Sequence, residues 1–241
     1  MEKILEIKAN LPNLKAVIQT LPPYAQYVKR DDGFYRWSEI EDIDTRSVEE
    51  EYHQRIKTIK PNECCSLIYT SGTTGNAKGA MLSHDNFTFI CASVKVYLTF
   101  LVEGQEVNVS YLPLSHVAAQ AFDIFTMISI GATVYFADKD ALKGSLIKTL
   151  TEARPTVFLG VPRVYEKIQE KMLQVGAQSG ALKRSLGSWA KSVTIKHHMD
   201  VMAGSNSTSL QYMLARKLLL SKVKQALGFN RAKFMINGAG K

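Results

Sequence analysis

Short runs of β-branched and aromatic residues alternate with longer amphipathic ones along nearly the whole chain, and this alternation restricts the fold more than any other feature. The runs at 15–20, 64–70, 107–112, 133–137, 156–159 and 233–236 are each bounded by Gly, Pro, Asn or a charged cluster, as strands are. Helices are expected over 48–59, 86–101, 117–130, 142–153, 164–175 and 210–227. Such alternation favours an α/β fold, with helices packed on a mostly parallel sheet. In the last helix Leu210, Met213, Leu214, Leu218 and Val223 share one face, Arg216, Lys217 and Lys224 are left to solvent, and Gly228 is placed to end it. Residues 31–44, acidic and without apolar period, and 176–206, rich in Ser, Gly and Lys, read as irregular, the second as a mobile insertion. No internal repeat, low-complexity tract or linker divides the chain, so residues 1–241 read as part of a single domain.

With 46% apolar and 22% charged residues, most of the chain is expected to fold. The apolar stretch 86–102 is interrupted by Ser93 and Lys95, which argues for a buried helix over a membrane span. Glu2 and Glu6 stand among the first residues, and no small-residue run follows an apolar segment. A secretory signal is therefore not expected, and a location inside the cell is. Cys64, Cys65 and Cys91 suit reduced core thiols better than a disulfide framework or zinc spacing. The net charge of +8 is unevenly spread: residues 167–241 carry 13 Lys or Arg against Glu170 and Asp200, while residues 1–166 are net −3. An anionic partner should meet the C-terminal third, where the basic residues suit either an anionic membrane face or a solvated surface. Nucleic acid is disfavoured as a partner, because the basic residues are spread along helices without interleaved aromatics.

The strongest local signal is CCSLIYTSGTTGNAKGAMLSH, where a buried-strand pattern ends in Thr70, Ser71, Gly72, Thr73, Thr74, Gly75, Asn76, Ala77 and Lys78, followed by Gly79. Glycines at 72, 75 and 79 permit positive φ and close backbone approach, so that N–H groups can converge on phosphate oxygens. The hydroxyls of Thr70, Ser71, Thr73 and Thr74 add donors, one of which could reach a Mg²⁺ carried by the phosphates. Lys78 supplies a point charge for a polyphosphate. The Walker pattern does not fit: Ala77 precedes the lysine, Gly79 follows it, and residues 80–83 continue extended rather than opening a helix. The bland alternative is a Ser/Thr/Gly hairpin turn.

YTSGTTGNAKG resembles the phosphate-binding signature of the adenylate-forming superfamily of acyl-CoA synthetases, luciferases and peptide-synthetase adenylation domains. MLSHDNF, SYLPLSHVAAQ, FADKDALKGSLIKTL and RPTVFLGVPRVYEKIQEKM resemble the long-chain acyl-CoA synthetases, most closely the bubblegum subfamily. The resemblance implies part of the large N-terminal domain of that fold, and a two-step ligase reaction. A fatty acid carboxylate attacks the α-phosphorus of ATP, giving acyl-adenylate and diphosphate, and coenzyme A then displaces AMP. It also implies ATP, Mg²⁺ and coenzyme A as cofactor and co-substrates, a long-chain fatty acid as substrate, and a cytoplasmic protein, peripheral on the endoplasmic reticulum or another intracellular membrane.

On the same resemblance His116, in LPLSHVAAQ, is a catalytic candidate that would orient the acyl carboxylate or the α-phosphate. Its alternative is a helix-start histidine bonded to backbone. Gln120 stands where some bacterial relatives place an aromatic gate, and a small polar side chain there does not suit gating. Arg163 lines a cleft or pairs with Glu166 or Glu170. His84 and Asp85 complete a turn into a helix, and His197–His198 lacks neighbours for a metal site. The end, KFMINGAGK, departs from the family at Asn237, Gly240 and Lys241, and the family's ribose-binding Asp and mobile domain with its catalytic Lys lie beyond it. The chain is thus expected to be a fragment inactive by itself, or else a short non-catalytic nucleotide-binding or interaction module.

Overall fold

The computed structural model describes residues 2–20, 33–70 and 76–238. The chain divides into two compact units, Met1–Lys60 and Pro61–Lys241.

In the first unit, α1 (Glu2–Ile7) precedes β1 (Val17–Gln19), which pairs in parallel with β2 (Phe34–Arg36), Val17 opposite Phe34. The buried Phe34 ring lies under the Lys8 ammonium, 4.6 Å from its centroid. Next come α2 (Trp37–Glu41) and α3 (Glu49–Thr58). α2 starts at a capping box in which the Arg36 N–H donates to Glu39 Oε2 at 3.0 Å. Within 31–44, expected to be irregular, the described residues therefore hold a strand and a helix. Three and five residues are too few to display a period. α3 carries Glu49, Glu50 and Glu51 in its first turn and Arg55 and Lys57 in its last, matching the helix dipole at both ends.

In the second unit, β3 (Cys64–Thr70) and β4 (Lys78–Ser83) form an antiparallel hairpin. α4 (His84–Tyr97) follows directly, its start fixed by Ser83, whose Oγ accepts the Asn86 N–H, while Asn86 Oδ1 accepts the Ser83 N–H. β5 (Val107–Ser110) pairs in parallel with β6 (Thr133–Phe136) across a helical run made of a π-helical stretch, Ala119–Thr126, and α5 (Met127–Ser129). α6 (Leu146–Ala153) leads to β7 (Val157–Gly160), which pairs in parallel with β8 (Phe234–Asn237). Between β7 and β8 lie α7 (Pro162–Ala177), α8 (Ala181–Met202), α9 (Leu210–Ala215), a π-helical turn, Arg216–Leu220, and α10 (Ser221–Ala226). The α/β class stands, with one antiparallel hairpin beside the parallel pairs.

Period-two alternation divides the core. Val157 packs with Phe122, Met127 and Ile130, whereas the next residue, Phe158, packs with Val109, Leu150 and Phe229 in a second cluster. Full burial of a Phe is worth about 2–3 kcal/mol, so this neighbouring pair anchors both layers. At their first residues the strands are tied by a buried carboxylate. Glu106, 1% exposed, accepts hydrogen bonds from the Thr156 hydroxyl, the Lys233 ammonium at 2.6 Å and the Val102 N–H at 2.8 Å. The Thr156 N–H also donates to Val107 O at 2.9 Å, which brings the starts of β5 and β7 together.

Three expectations need correction. Residues 176–206 are not irregular, because α8 fills most of them. Its Ser and Lys residues are exposed and need no apolar partner, Ala190 is its buried residue, and His197 stacks on Tyr212, ring centroids 3.7 Å apart. Leu210, Met213, Leu214 and Leu218 do share a face, but that face is exposed, and Ala215 is the residue fully buried there. Cys91 is a core thiol, whereas Cys64 and Cys65 are exposed, and α4 buries only Phe87 and Cys91. No helix among the described residues is long and apolar enough to cross a membrane.

Candidate functional site

The glycine-rich segment joins β3 to β4. Thr70 is the last residue of β3, Lys78 the first of β4, and the two are paired across the hairpin. Ser71, Gly72, Thr73, Thr74 and Gly75 lie outside the described residues. Thr70, Asn76, Ala77 and Lys78 are exposed, and Lys78 has no ion-pair partner among the described residues. A strand pair thus presents a cation beside a threonine hydroxyl, both held by the ladder and both open to an anion. Gly79 has no positive φ. A Cβ there would meet the exposed Tyr69 ring at 3.1 Å across the hairpin, a close contact that the ring can relieve by turning.

The second part of the site follows β5. Chain reversal after Ser110 runs through Pro113, and the His116 N–H donates to Pro113 O at 2.9 Å. His116 is exposed, and its Nδ1 accepts the Ala118 N–H at 3.1 Å, which caps the helical run. In the neutral ring Nε2 then carries the proton and is free to donate to an anionic oxygen. The backbone-bonded histidine foreseen as an alternative is therefore present, and its geometry leaves the outer nitrogen available.

Gln120 joins the two parts. Its Oε1 accepts from Ser66 Oγ at 2.9 Å and its Nε2 donates to Leu114 O at 2.8 Å, linking β3 to the loop that bears His116. Two tyrosines hold the remaining strand ends. The Tyr111 hydroxyl accepts the Val161 N–H at 3.0 Å, and burial pushes its pKa up to about 12, so the phenol stays neutral and structural. The Tyr165 hydroxyl donates to Ile236 O at 3.1 Å, and its ring covers Gly160, where a Cβ would sit 2.4 Å from the ring. These contacts cross 50 and 71 residues of sequence, so no local pattern announces them. They place the ends of β5, β7 and β8 together at the carboxyl edge of parallel strands, where ligands bind in open α/β sheets.

A groove of about 260 Å³ opens between the ends of β5 and β6, lined by Tyr111, Leu112, Pro113, Phe136 and Asp138 among others. Hydrogen bonds from Ser145 Oγ and the Asp140 N–H, both 2.7 Å, hold the Asp138 carboxyl below the usual range. Beneath the His116 loop lies a buried polar cluster. Asn108 Nδ2 donates to Asp123 Oδ1 at 2.9 Å, Ser110 adds a second hydrogen bond to Asp123, and Asn108 Oδ1 has no partner among the described residues. Burial raises the Asp123 carboxyl against the pull of those two donors.

The other candidates are settled locally. Arg163 pairs with Glu166 at 2.9 Å and lies 3.8 Å from Glu170, an exposed pairing along α7. His84 opens α4. Among the described residues no group of three His, Cys, Asp or Glu could hold a metal ion, His197 and His198 included.

Residues 3–226 match the family described as AMP-binding enzyme. The chain is 47% identical over 240 residues to long-chain-fatty-acid--CoA ligase ACSBG2 of Gallus gallus, covering 98% of the chain and 31% of the relative. It is 45% identical over 241 residues to long-chain-fatty-acid--CoA ligase ACSBG1 of Homo sapiens, covering 99% and 33%. The chain therefore spans about a third of the length of these curated relatives. Among solved structures, the adenylation domain of a carboxylate reductase from Mycobacterium chelonae superposes with a TM-score of 0.55 at 18% identity, over 99% of the chain and 35% of that domain. That likeness bears on fold alone.

Proposed function

This chain belongs to the AMP-binding enzyme family, and from that premise we propose that it supplies the polyphosphate loop and part of the adenylate cleft of a long-chain fatty acid–CoA ligase. Residues 1–241 then form part of one AMP-binding domain. The reaction is ATP plus fatty acid plus coenzyme A to acyl-CoA, AMP and diphosphate. A carboxylate oxygen bonds to the α-phosphorus as the bond to diphosphate breaks. The coenzyme A sulfur, giving up its proton, then bonds to the acyl carbon as AMP leaves.

The observation that carries this proposal is the pairing of Thr70 with Lys78 across the hairpin, a cation without an ion-pair partner among the described residues beside a hydroxyl on the same ladder. Lys78 would neutralise the β- and γ-phosphates, and backbone donors of residues 71–77 would orient them, so the contribution is positioning and electrostatic stabilisation. His116 Nε2, aimed outward by the Nδ1 bond, would donate to the acyl carboxylate or an α-phosphate oxygen. Mg²⁺ would arrive with ATP, and Thr70 Oγ1 is the described donor suited to join its oxygen shell. A cytoplasmic location and peripheral contact with the endoplasmic reticulum or another intracellular membrane belong to the same proposal. The test is competition for the chain between ATP and two non-hydrolysable acyl-adenylate mimics, one with a palmitoyl chain and one with an acetyl group. Displacement of ATP by both mimics, with the palmitoyl form tighter, is expected. A chain that binds neither ATP nor mimic, or prefers acetyl, would overturn the assignment.

A further inference from the structure

α8 and α9 form a helical hairpin whose tip is apolar and whose shaft is basic. The stacking of His197 on Tyr212 fixes the two helices side by side near their connection. On α8, Met199 and Met202 are 66% and 88% exposed, and on α9 Leu210, Met213 and Leu214 are 78%, 55% and 53% exposed. Their spacings of three and four residues put each set on one helical stripe. Further from the connection, the same helical run carries Lys191 and Lys196 on one side and Arg216 and Lys217 on the other. None of these four cations is in an ion pair among the described residues, and Asp200 is the sole acid between residues 171 and 241. Large exposed apolar side chains next to unpaired cations are the composition of an interfacial membrane element, apolar groups entering the acyl boundary and cations staying with the headgroups.

We propose that the α8–α9 hairpin docks this protein on an anionic lipid surface, with Met199, Met202, Leu210, Met213 and Leu214 entering the interface and Lys191, Lys196, Arg216 and Lys217 meeting acidic headgroups. A second copy of the chain is a poor occupant, because a symmetric contact would bring the two sets of cations together. The surface deepens the peripheral location proposed above, yet it does not depend on ATP chemistry, so ATP binding measured on the same preparations separates failure of one from failure of the other.

The test is co-sedimentation of the full chain with phosphatidylcholine vesicles, with and without phosphatidylserine, at low and physiological salt. Wild type should bind the anionic vesicles preferentially and lose affinity with salt. Each cation near the surface contributes roughly fivefold to partitioning, so Lys191→Glu with Lys217→Glu should lower it by more than about tenfold. Met202→Ser with Leu210→Ser should cost about tenfold as well, with an unchanged circular dichroism spectrum, since both residues are exposed. Equal binding to neutral and anionic vesicles, or to neither, would overturn the proposal. So would wild-type partitioning by the Met202/Leu210 variant, which would reduce the contact to a basic surface. A dimer in sedimentation velocity that Leu210→Ser dissolves would assign the stripe to a second copy and overturn it too.

Discussion

Ser66 Oγ and Leu114 O are bridged by one side chain, Gln120, at 2.9 and 2.8 Å, so the strand that leads into the glycine-rich segment and the loop that bears His116 are held at a set spacing. Gln120→Leu keeps the volume and removes both bonds. A neutral hydrogen bond contributes about 0.5–1.5 kcal/mol net, and Ser66 and Leu114 are open enough to turn to water, so stability should fall by no more than about 2 kcal/mol. ATP affinity should fall about three- to tenfold by equilibrium dialysis, because the two halves of the site lose their register. Unchanged affinity would mean that the bridge does not position the site.

Glu106 makes a pH-dependent contribution of known sign. Burial by itself would raise its carboxyl, but hydrogen bonds from Lys233, Thr156 and the Val102 N–H, with the Lys233 charge, hold it below the ordinary 4.5. A depressed carboxyl stabilises the fold fully above the unfolded value and loses that contribution as pH falls through the folded one. Urea midpoints should therefore drop steeply below pH 4.5 in wild type and less steeply in Glu106→Gln. At neutral pH this variant should lose about 2–4 kcal/mol, since Lys233 keeps some access to water.

Asp123 has the opposite sign. Its raised carboxyl favours the fold at low pH, and that contribution is lost as pH rises through the folded value. Asp123→Asn removes the ionisation and offers an N–H to the unpartnered Asn108 Oδ1. It should stabilise the chain by about 1 kcal/mol at pH 8 and remove the loss of stability that begins as pH rises above the ordinary 3.8, as read by thermal denaturation. A loss of stability at pH 8 would show that the charge is used.

What the sequence made legible follows from the range of the forces involved. The hairpin strands and the parallel β5, β6, β7 and β8 were readable because β-branched runs and turn residues act locally. α8 was not, because composition misleads where a helix is largely exposed and Ala190 is its buried residue. Gln120, Tyr111, Tyr165 and the Glu106–Lys233 pair escaped for another reason. Their partners lie 50 or more residues away, and only the fold brings them together, except for the Gln120–Leu114 contact. The glycines divide in the same way. Gly228 was readable as a helix stop, whereas its contact with α6 was not.

Gly228 has φ +80, and a Cβ there would lie 2.1 Å from Leu150 O, a backbone atom that cannot turn aside. Gly104 has φ +74 with nothing within 4 Å. Gly104→Ala should cost about 1 kcal/mol of left-handed strain, and Gly228→Ala more than about 2 kcal/mol, because the clash adds to the strain. Equal melting temperatures for the two variants would contradict the packing of α10 against α6.

ATP binding by the intact chain, compared between wild type and Lys78→Ala by isothermal titration, bears most directly on the assigned function. A charge-assisted hydrogen bond is worth about 1.5–3 kcal/mol, so the substitution should weaken ATP by about 10- to 100-fold while AMP, which lacks the outer phosphates, is weakened far less. Lys78 is exposed and unpaired among the described residues, so its loss should leave the melting temperature unchanged. Equal ATP affinity in wild type and Lys78→Ala, or no ATP binding by the wild-type chain, would contradict the assignment of residues 70–78 as the polyphosphate site.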